Sequence, residues 1–365
     1  MKRLAYALAA LLIFSGCGSS AQLSTGKQSG KSYVIGFYNL ENLFDTYHDE
    51  GKNDYEYLPD GANQWTEAKY AKKLQNMAKV IADMRADNGA WHAVLGVSEI
   101  ENRHVLEDLV NEPAIAAANY QIVHYDGPDR RGVDVAMLYK PEVFKLIASE
   151  SIPFSFYPSE LDWSLWTQEE MDDFRTRDVL MARGTIDGEM FAIFVAHLPS
   201  RLGGKGADLR PRGAEIIHQR AMQLQQEFPG IKIVVMGDMN DNPTDRSMME
   251  FLHADKDEID EVDDDDEFFN PFLAMLKAGY SSLYYRGEGN IFDIVMVNKA
   301  LAQAAPGTFQ IQPIVRNKYY GRIFTKPYMT NQSGQYKGTP FRTFSNGAFV
   351  GGFSDHYPTY IVIKK

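Results

Sequence analysis

The residues able to do chemistry fall in six short clusters spread along the chain. They are Asn39-Leu40-Glu41, Ser98-Glu99, His197, Gly237-Asp238-Met239-Asn240, Asp293 and Ser354-Asp355-His356. Their donors are carboxylates, carboxamides and imidazoles, with no thiolate among them. Oxygen donors of this kind suit Mg²⁺, Mn²⁺ or Ca²⁺ rather than a zinc cage. Magnesium keeps several waters and takes one or two carboxylates, which leaves positions for the oxygens of a substrate phosphate. Two imidazoles beside such an ion can orient or deprotonate water and hold a phosphate oxygen. The chemistry implied is hydrolysis of a phosphate ester. Taken singly, each cluster has a plainer explanation: an Asn after a strand makes a turn, and an Asp in a Gly-Asp-x-Asn turn caps a helix. Only a fold that brings the six together separates the two explanations.

Five of the clusters sit at the ends of short apolar, β-branched runs and Asp293 inside one, the runs being Tyr33–Tyr38, Ala93–Val97, Val133–Tyr139, Phe191–Ala196, Lys232–Met236, Ile291–Val297 and Tyr360–Ile363. Runs of this length bounded by turn or charged residues predict buried strands. Strand ends hold polar side chains rigidly at a solvent-filled crevice. Tyr70, Leu74, Met77 and Ile81 recur at helical spacing and predict a helix over Glu67–Met84; Ile217, Ala221, Leu224 and Phe228 predict another over Arg212–Phe228. Helices interspersed with strands imply stacked layers in a single α/β domain over 32–365. Ile152–Trp166 and Asp255–Glu267 read as surface insertions.

Hydrophobic residues make up 44% of the 365 and charged residues 24%, which excludes a mostly disordered chain and a polytopic membrane protein. The net charge of −12 is too acidic for nonspecific attraction to DNA. Most of it lies in Asp255–Glu267, where ten acidic residues and one lysine give −9 and leave about −3 for everything else. The start of the chain differs from the rest. Met1-Lys2-Arg3, an apolar run from Leu4 to Phe14 and then Ser15-Gly16-Cys17 predict a signal peptide over 1–16, too short to span a bilayer. Phe14-Ser15-Gly16-Cys17 resembles a bacterial lipobox, which makes Cys17, the only cysteine, the expected lipid attachment site. Residues 17–31 then read as anchor and flexible tether. The expected location is the bacterial cell envelope, the protein exported and held at a membrane.

The ordered set of clusters, from Tyr38 to His356, resembles the endonuclease/exonuclease/phosphatase superfamily, the DNase I-like group. The resemblance implies a four-layer α/β/β/α sandwich with two mixed sheets packed face to face between helices. It implies Glu99 as principal metal ligand with Asn39 beside it, Glu41 as a second acidic group near the metal, and Asp355 assisting. It implies that Asp238 orients or deprotonates the attacking water and that Asn240 binds a phosphate oxygen. His356, held by Asp293, contacts the scissile phosphate, and His197 acts near the leaving group. Whether Asp238 or a histidine is the base stays open.

Arg131, Arg201, Arg210 and Arg212 are further candidates for phosphate contact, since a guanidinium matches phosphate oxygens bidentately. Leu202-Gly203-Gly204-Lys205-Gly206 reads as a mobile lip of the site, Asp134 as structural, and the acidic stretch as a solvated run without calcium-loop spacing. The leading expectation is an exported, divalent-metal-dependent phosphodiesterase or nuclease, a monomer. The alternatives are a phosphatase or a phospholipid- or inositol-type phosphoesterase of the same fold, and a catalytically idle binding lipoprotein.

Overall fold

Alternation along single strands builds the core. In a computed structural model describing residues 30–201, 207–315 and 318–365, Ile35 and Phe37 point to one face of the first strand and Val34 and Tyr38 to the other. Both faces are buried, so the strand lies inside a layered molecule. Lys31–Lys365 forms one unit. The expected signal segment, Cys17, nearly all of the tether and Leu202–Gly206 lie outside the described residues.

In chain order the strands are β1 (Ser32–Leu43), β2 (His92–Ile100), β3 (Gln121–His124), β4 (Asp134–Tyr139), β5 (Phe144–Ile152), β6 (Val179–Ile186), β7 (Glu189–His197) and β8 (Lys232–Asp238). There follow β9 (Phe268–Phe269), β10 (Leu283–Tyr285), β11 (Glu288–Asn290), β12 (Asp293–Asn298), β13 (Gln310–Gln312), β14 (Gly321–Ile323), β15 (Phe344–Ser345), β16 (Ala348–Phe349) and β17 (Thr359–Lys364). The helices are α1 (Glu67–Asn88), α2 (Arg103–Asn111), α3 (Gln168–Asp173), α4 (Leu209–Glu227), α5 (Pro271–Lys277) and α6 (Lys299–Ala302).

One sheet runs β13-β17-β1-β2-β4-β3, with β14 also paired to β17; the other runs β5-β6-β7-β8-β12-β9. Each is mixed: β1 is parallel to β2 and β7 to β8, and the remaining pairs are antiparallel. The inner faces meet through Ile35, Phe37, Val94, Met137 and Ile361 from the first sheet and Val195, Met236 and Val295 from the second. The approach is close at Gly96, where a Cβ would stand 2.6 Å from Met236 Sδ. Against the outer face of the first sheet lie α1 and α2, through Leu74, Met77, Ile81 and Leu106. Against the second lies α4, through Ile217, Ala221 and Leu224. This is the four-layer sandwich.

Every expected apolar strand is present. The first helix continues four residues past its expected end, to Asn88, and stops at Gly89, whose φ of 70° suits the left-handed residue that closes a helix. β5 escaped the apolar pattern because it is the exposed edge of its sheet, reading FKLIASESI with Leu146 and Ile147 outward. Of the two expected insertions, Ile152–Trp166 is partly a small core of its own: Phe156, Leu161 and Trp163 are buried with Leu209 of α4. Among the described residues no helix is long and apolar enough to cross a membrane.

Candidate active site

The register of the second sheet sets three functional side chains in a row. His197 ends β7 opposite Asp238, which ends β8, and Asp238 in turn faces Asp293 at the start of β12. Gly237 permits this closeness, because a Cβ there would fall 2.1 Å from the Ala196 carbonyl oxygen. The first sheet contributes from the facing layer. Asn39 pairs with Ser98 across β1 and β2, and both strands then break register, so that Glu99 turns inward. Glu41, Asn42, Glu99 and Asn240 all have positive φ, between 48° and 56°, a conformation that costs an ordinary residue energy. Non-glycine residues in this region gather at three of the strand ends that make the site.

Asn39 joins the two sheets. Its Nδ2 donates to Glu99 Oε1 at 3.2 Å and to Asp238 Oδ2 at 3.0 Å, while its Oδ1 accepts the Glu41 amide at 2.8 Å. The Asn42 amide donates to Glu99 Oε2 at 3.0 Å. Asp238 Oδ1 accepts the Asn240 amide at 3.0 Å. Its other oxygen, Oδ2, lies 3.7 Å from His197 Nε2 and 3.8 Å from His356 Nε2, and His197 Nε2 is 4.0 Å from Glu99 Oε1. These gaps exceed a direct hydrogen bond and suit a bridging atom. On its far side His356 Nδ1 meets both oxygens of Asp293, at 2.9 and 3.0 Å, and Ser282 Oγ donates to Asp293 Oδ2 at 2.6 Å. Ser354 Oγ accepts the His356 amide and donates to the Asn39 carbonyl, which ties the last cluster to the first.

The two imidazoles differ in charge. Burial, with Arg177 and Arg131 nearby, holds His197 well below its usual range, so it is neutral. Burial also pulls on His356, but Asp293 and Asp238 lift it well above its usual range, so it is a cation. Burial pushes Asp238 up to about 6, against the pull of His356. Nearly every other carboxylate here has a cation: Asp293 has His356, Asp355 has Arg342 Nη2 at 3.0 Å, and Glu41 has Arg342 and Lys73. Glu99 does not. Its nearest basic group is the neutral His197, and its side chain is only 16% exposed. A partly buried carboxylate among other carboxylates, without an ion partner, fits a bound cation. Glu99, His197 and Asp238 also present ligand atoms within 4.8 Å of one another.

The sequence of the chain from residue 34 to 365 matches the model of the endonuclease/exonuclease/phosphatase family. The chain belongs to that family. No curated protein matches it in sequence. Among solved structures it is similar to D. rerio TDP2 complexed with single strand DNA product, at 14% identity over 92% of this chain and 99% of that one, with a TM-score of 0.52. It is similar to a mannosyl-6-phosphatase of Bacteroides thetaiotaomicron, at 15% identity over 91% and 99%, TM-score 0.51. It is also similar to the catalytic domain of human Nocturnin with bound sulfate anion, at 14% identity over 92% and 95%, TM-score 0.51. At such identities the likeness speaks for the fold. As a member of this family the protein is a hydrolase of the phosphoesterase or nuclease type.

Several expected roles change on inspection of the contacts. Asn39 donates through Nδ2 to both carboxylates and accepts the Glu41 amide at Oδ1, so in this arrangement it positions Glu99 and Asp238. The Glu41 carboxylate is already engaged. Its oxygens accept from Arg342 Nε at 2.8 Å and the Thr343 amide at 2.7 Å, and the buried Lys73 lies 3.7 Å away. Arg212 is buried against Ser155 and Glu215, so it anchors the 152–166 insertion to α4 and is shut off from any phosphate. Arg201 and Arg210 are held by Asp241, and Arg201 also by Asp245 and the Asn240 carbonyl. Arg131 is exposed, with one bond to Asn42 Oδ1 at 3.3 Å, and remains able to meet a phosphate. Asn240 spends one amide hydrogen on the Leu198 carbonyl and keeps the other. Asp134 accepts the Gly127 amide and faces His124 at 3.4 Å, a structural role.

Sequence reasoning missed Arg342, Lys73, Arg177 and the backbone amide of Asn42. Lys73 has a visible signal, a lysine one residue from the apolar stripe of α1. Arg342 and Arg177 have none: each is a loop arginine until the fold sets it beside Glu41 and Asp355, or beside Asp129 and the Leu198 carbonyl.

Proposed function

We propose that the protein hydrolyses phosphodiesters with the help of a divalent cation, Mg²⁺ or Mn²⁺, held at Glu99, with Asp355 as a second oxygen donor. Bound there, the ion neutralises charge on the phosphoryl oxygens. The observation that carries the reading is the convergence of Glu99, Asp238, His197 and His356 from four separate chain segments to gaps of 3.7–4.0 Å.

Asp238 is the base. One of its oxygens is fixed by the Asn240 amide, and the other, facing both imidazoles, takes the proton of the attacking water. His356 is the preformed cation of the site. Asp293 fixes its Nδ1 proton, so its Nε2 proton points at a phosphoryl oxygen, where it meets the charge that grows as the pentavalent state forms. The free amide hydrogen of Asn240 reaches a second such oxygen. His197 is neutral and offers the leaving oxygen a hydrogen bond, not a proton; that oxygen departs as an anion and is protonated by water.

The test is turnover of bis(p-nitrophenyl) phosphate by the metal-loaded protein. EDTA is expected to abolish it, and Asp238→Asn and His356→Ala each to lower kcat by about 10²- to 10⁴-fold. Unchanged rates in both variants would refute the assignment. We also propose export and acylation at Cys17, supported by the Lys2-Arg3 start, the Leu4–Phe14 apolar run and Phe14-Ser15-Gly16-Cys17. Incorporation of a palmitate analogue in a bacterial host, lost in Cys17→Ser, tests this.

A further inference from the structure

Away from the catalytic row, two histidines close on one residue of the acidic run. His218 lies on α4, and His253 lies just past the π-helical turn Ser247–Phe251, with a φ of 53°. Their rings stand 4.3 Å apart, centroid to centroid. Asp266 meets both: His253 Nδ1 is 2.9 Å from its Oδ2, and His218 Nε2 is 2.8 Å from its carbonyl oxygen. The chain on either side of Asp266 is pinned as well. The Phe268 amide donates to the His253 carbonyl at 2.8 Å. Gln225 Nε2, two turns along α4 from His218, donates to the Asp265 carbonyl at 2.7 Å. The end of the run is therefore folded back onto α4, and three chain segments meet at the pair of rings. The place is remote from Asp293, because Phe268 pairs with Asn298 at the other end of β12, about 17 Å of strand away.

The donor set there differs from that of the catalytic row. One potential ligand atom from each of His218, His253 and Asp266 falls within 4.8 Å of the others. Two imidazoles with one carboxylate suit Zn²⁺, whereas the oxygens at Glu99 suit a hard ion. The spacing fits. Two ligands held about 2.0–2.1 Å from a tetrahedral ion stand about 3.3 Å apart, so the 2.9 Å between His253 and Asp266 has to open by only a few tenths of an ångström. Burial, with His253 beside it, holds His218 below its usual range, so at neutral pH that ring is uncharged, as a metal ligand must be. Access is open: the His253 and Asp266 side chains are 40% and 47% exposed, which leaves a fourth position to water. Asp266 has no lysine or arginine partner among the described residues. Its neighbours Asp263, Asp264, Asp265 and Glu267 add a field that draws a divalent cation, offset in part by Lys299 at Asp265 and Lys256 at Glu267.

We propose that His218, His253 and Asp266 form a second metal site, for Zn²⁺, separate from the cation site at Glu99 and tying the acidic run to α4. The site does not depend on the hydrolase reading, and its test reads the ion itself. Protein stripped with EDTA and desalted is titrated with Zn²⁺ by calorimetry in excess Mg²⁺. Wild type is expected to bind one Zn²⁺ that His218→Ala and His253→Ala each lose or hold at least tenfold more weakly. Mg²⁺-supported turnover of the nitrophenyl diester is expected to stay within twofold of wild type in both variants. Isotherms that superimpose on wild type in both overturn the proposal. So does a loss of turnover in step with the lost Zn²⁺, since the ion would then belong to the catalytic row. If the variants fail to fold, wild type decides: Zn²⁺ is expected to shield His218 and His253 from diethyl pyrocarbonate, read by peptide mass spectrometry. Equal modification with and without the ion overturns the assignment.

Discussion

Replacing Asp293 by Asn tests whether His356 works as a cation. The substitution keeps volume and shape. An amide oxygen still accepts from His356 Nδ1, now about 2.9 Å away at one atom instead of two, and the Ser282 hydroxyl keeps a partner. What disappears is the negative charge. Asp293 is fully buried and the His356 side chain is 7% exposed, so water does little to screen their attraction. Breaking one side of a buried pair costs about 3–5 kcal/mol. Burial by itself draws the imidazole toward its neutral form, and the loss falls on the protonated ring that the pentavalent state needs. At about 1.4 kcal/mol per decade, kcat should fall by roughly 10²- to 10⁴-fold. The assay is kcat for the nitrophenyl diester, with a thermal melt of each variant to confirm that it folds. A folded Asp293→Asn protein with kcat within threefold of wild type would refute the role given to the imidazolium.

Other perturbations separate structural residues from chemical ones. His92 is fully buried with neither ring nitrogen hydrogen-bonded, and burial lowers it from 6.5 to about 4. The unfolded chain takes up a proton below about pH 6.5 that the folded chain refuses until about pH 4, so this residue removes up to about 3 kcal/mol of stability across that window. His92→Leu should flatten that part of the pH–stability curve in urea titrations; an unaltered acid dependence would count against it. Gly237→Ala should push β7 from β8, cost about 1–3 kcal/mol, and lower kcat more than tenfold by moving Asp238 against His197. Wild-type kinetics would show that the close approach is unimportant. Lys73→Met leaves Arg342 as the remaining counter-charge of the buried Glu41 and removes two charge-assisted bonds, to Thr343 Oγ1 and the Phe353 carbonyl, at about 3–5 kcal/mol. A melting temperature within 2 °C of wild type, a margin small beside the shift such a loss produces, would contradict that anchoring role.

The two-sided strands were legible because β1, β2, β4, β7, β8, β12 and β17 are buried on both faces and so read as unbroken apolar runs. β5 was not, since an edge strand that faces water carries Lys145, Ser149 and Glu150 where a central one carries Val or Ile. At the site, residue type pointed correctly to which segments meet, yet it did not tell ligand from scaffold. Asn39 and Glu41 have the right chemistry at the right strand end, and the break in register after Asn39 decides where each oxygen points. Arg212 shows the same limit. Nothing local marks an arginine on a helix as buried until Ser155 and Glu215 close over it.

Asp238 sits on one sheet and Glu99 on the other, so the apolar filling between them works as a spacer of fixed thickness. Enlarging Val195 or Met236 by a methylene would widen the gap that the Asn39 amide spans, with no catalytic atom altered. Warming that loosens the interlayer side chains should silence turnover before the strands themselves come apart. Tuning of this protein for cold or heat would therefore be found in its waist, remote from the mouth where the phosphate arrives.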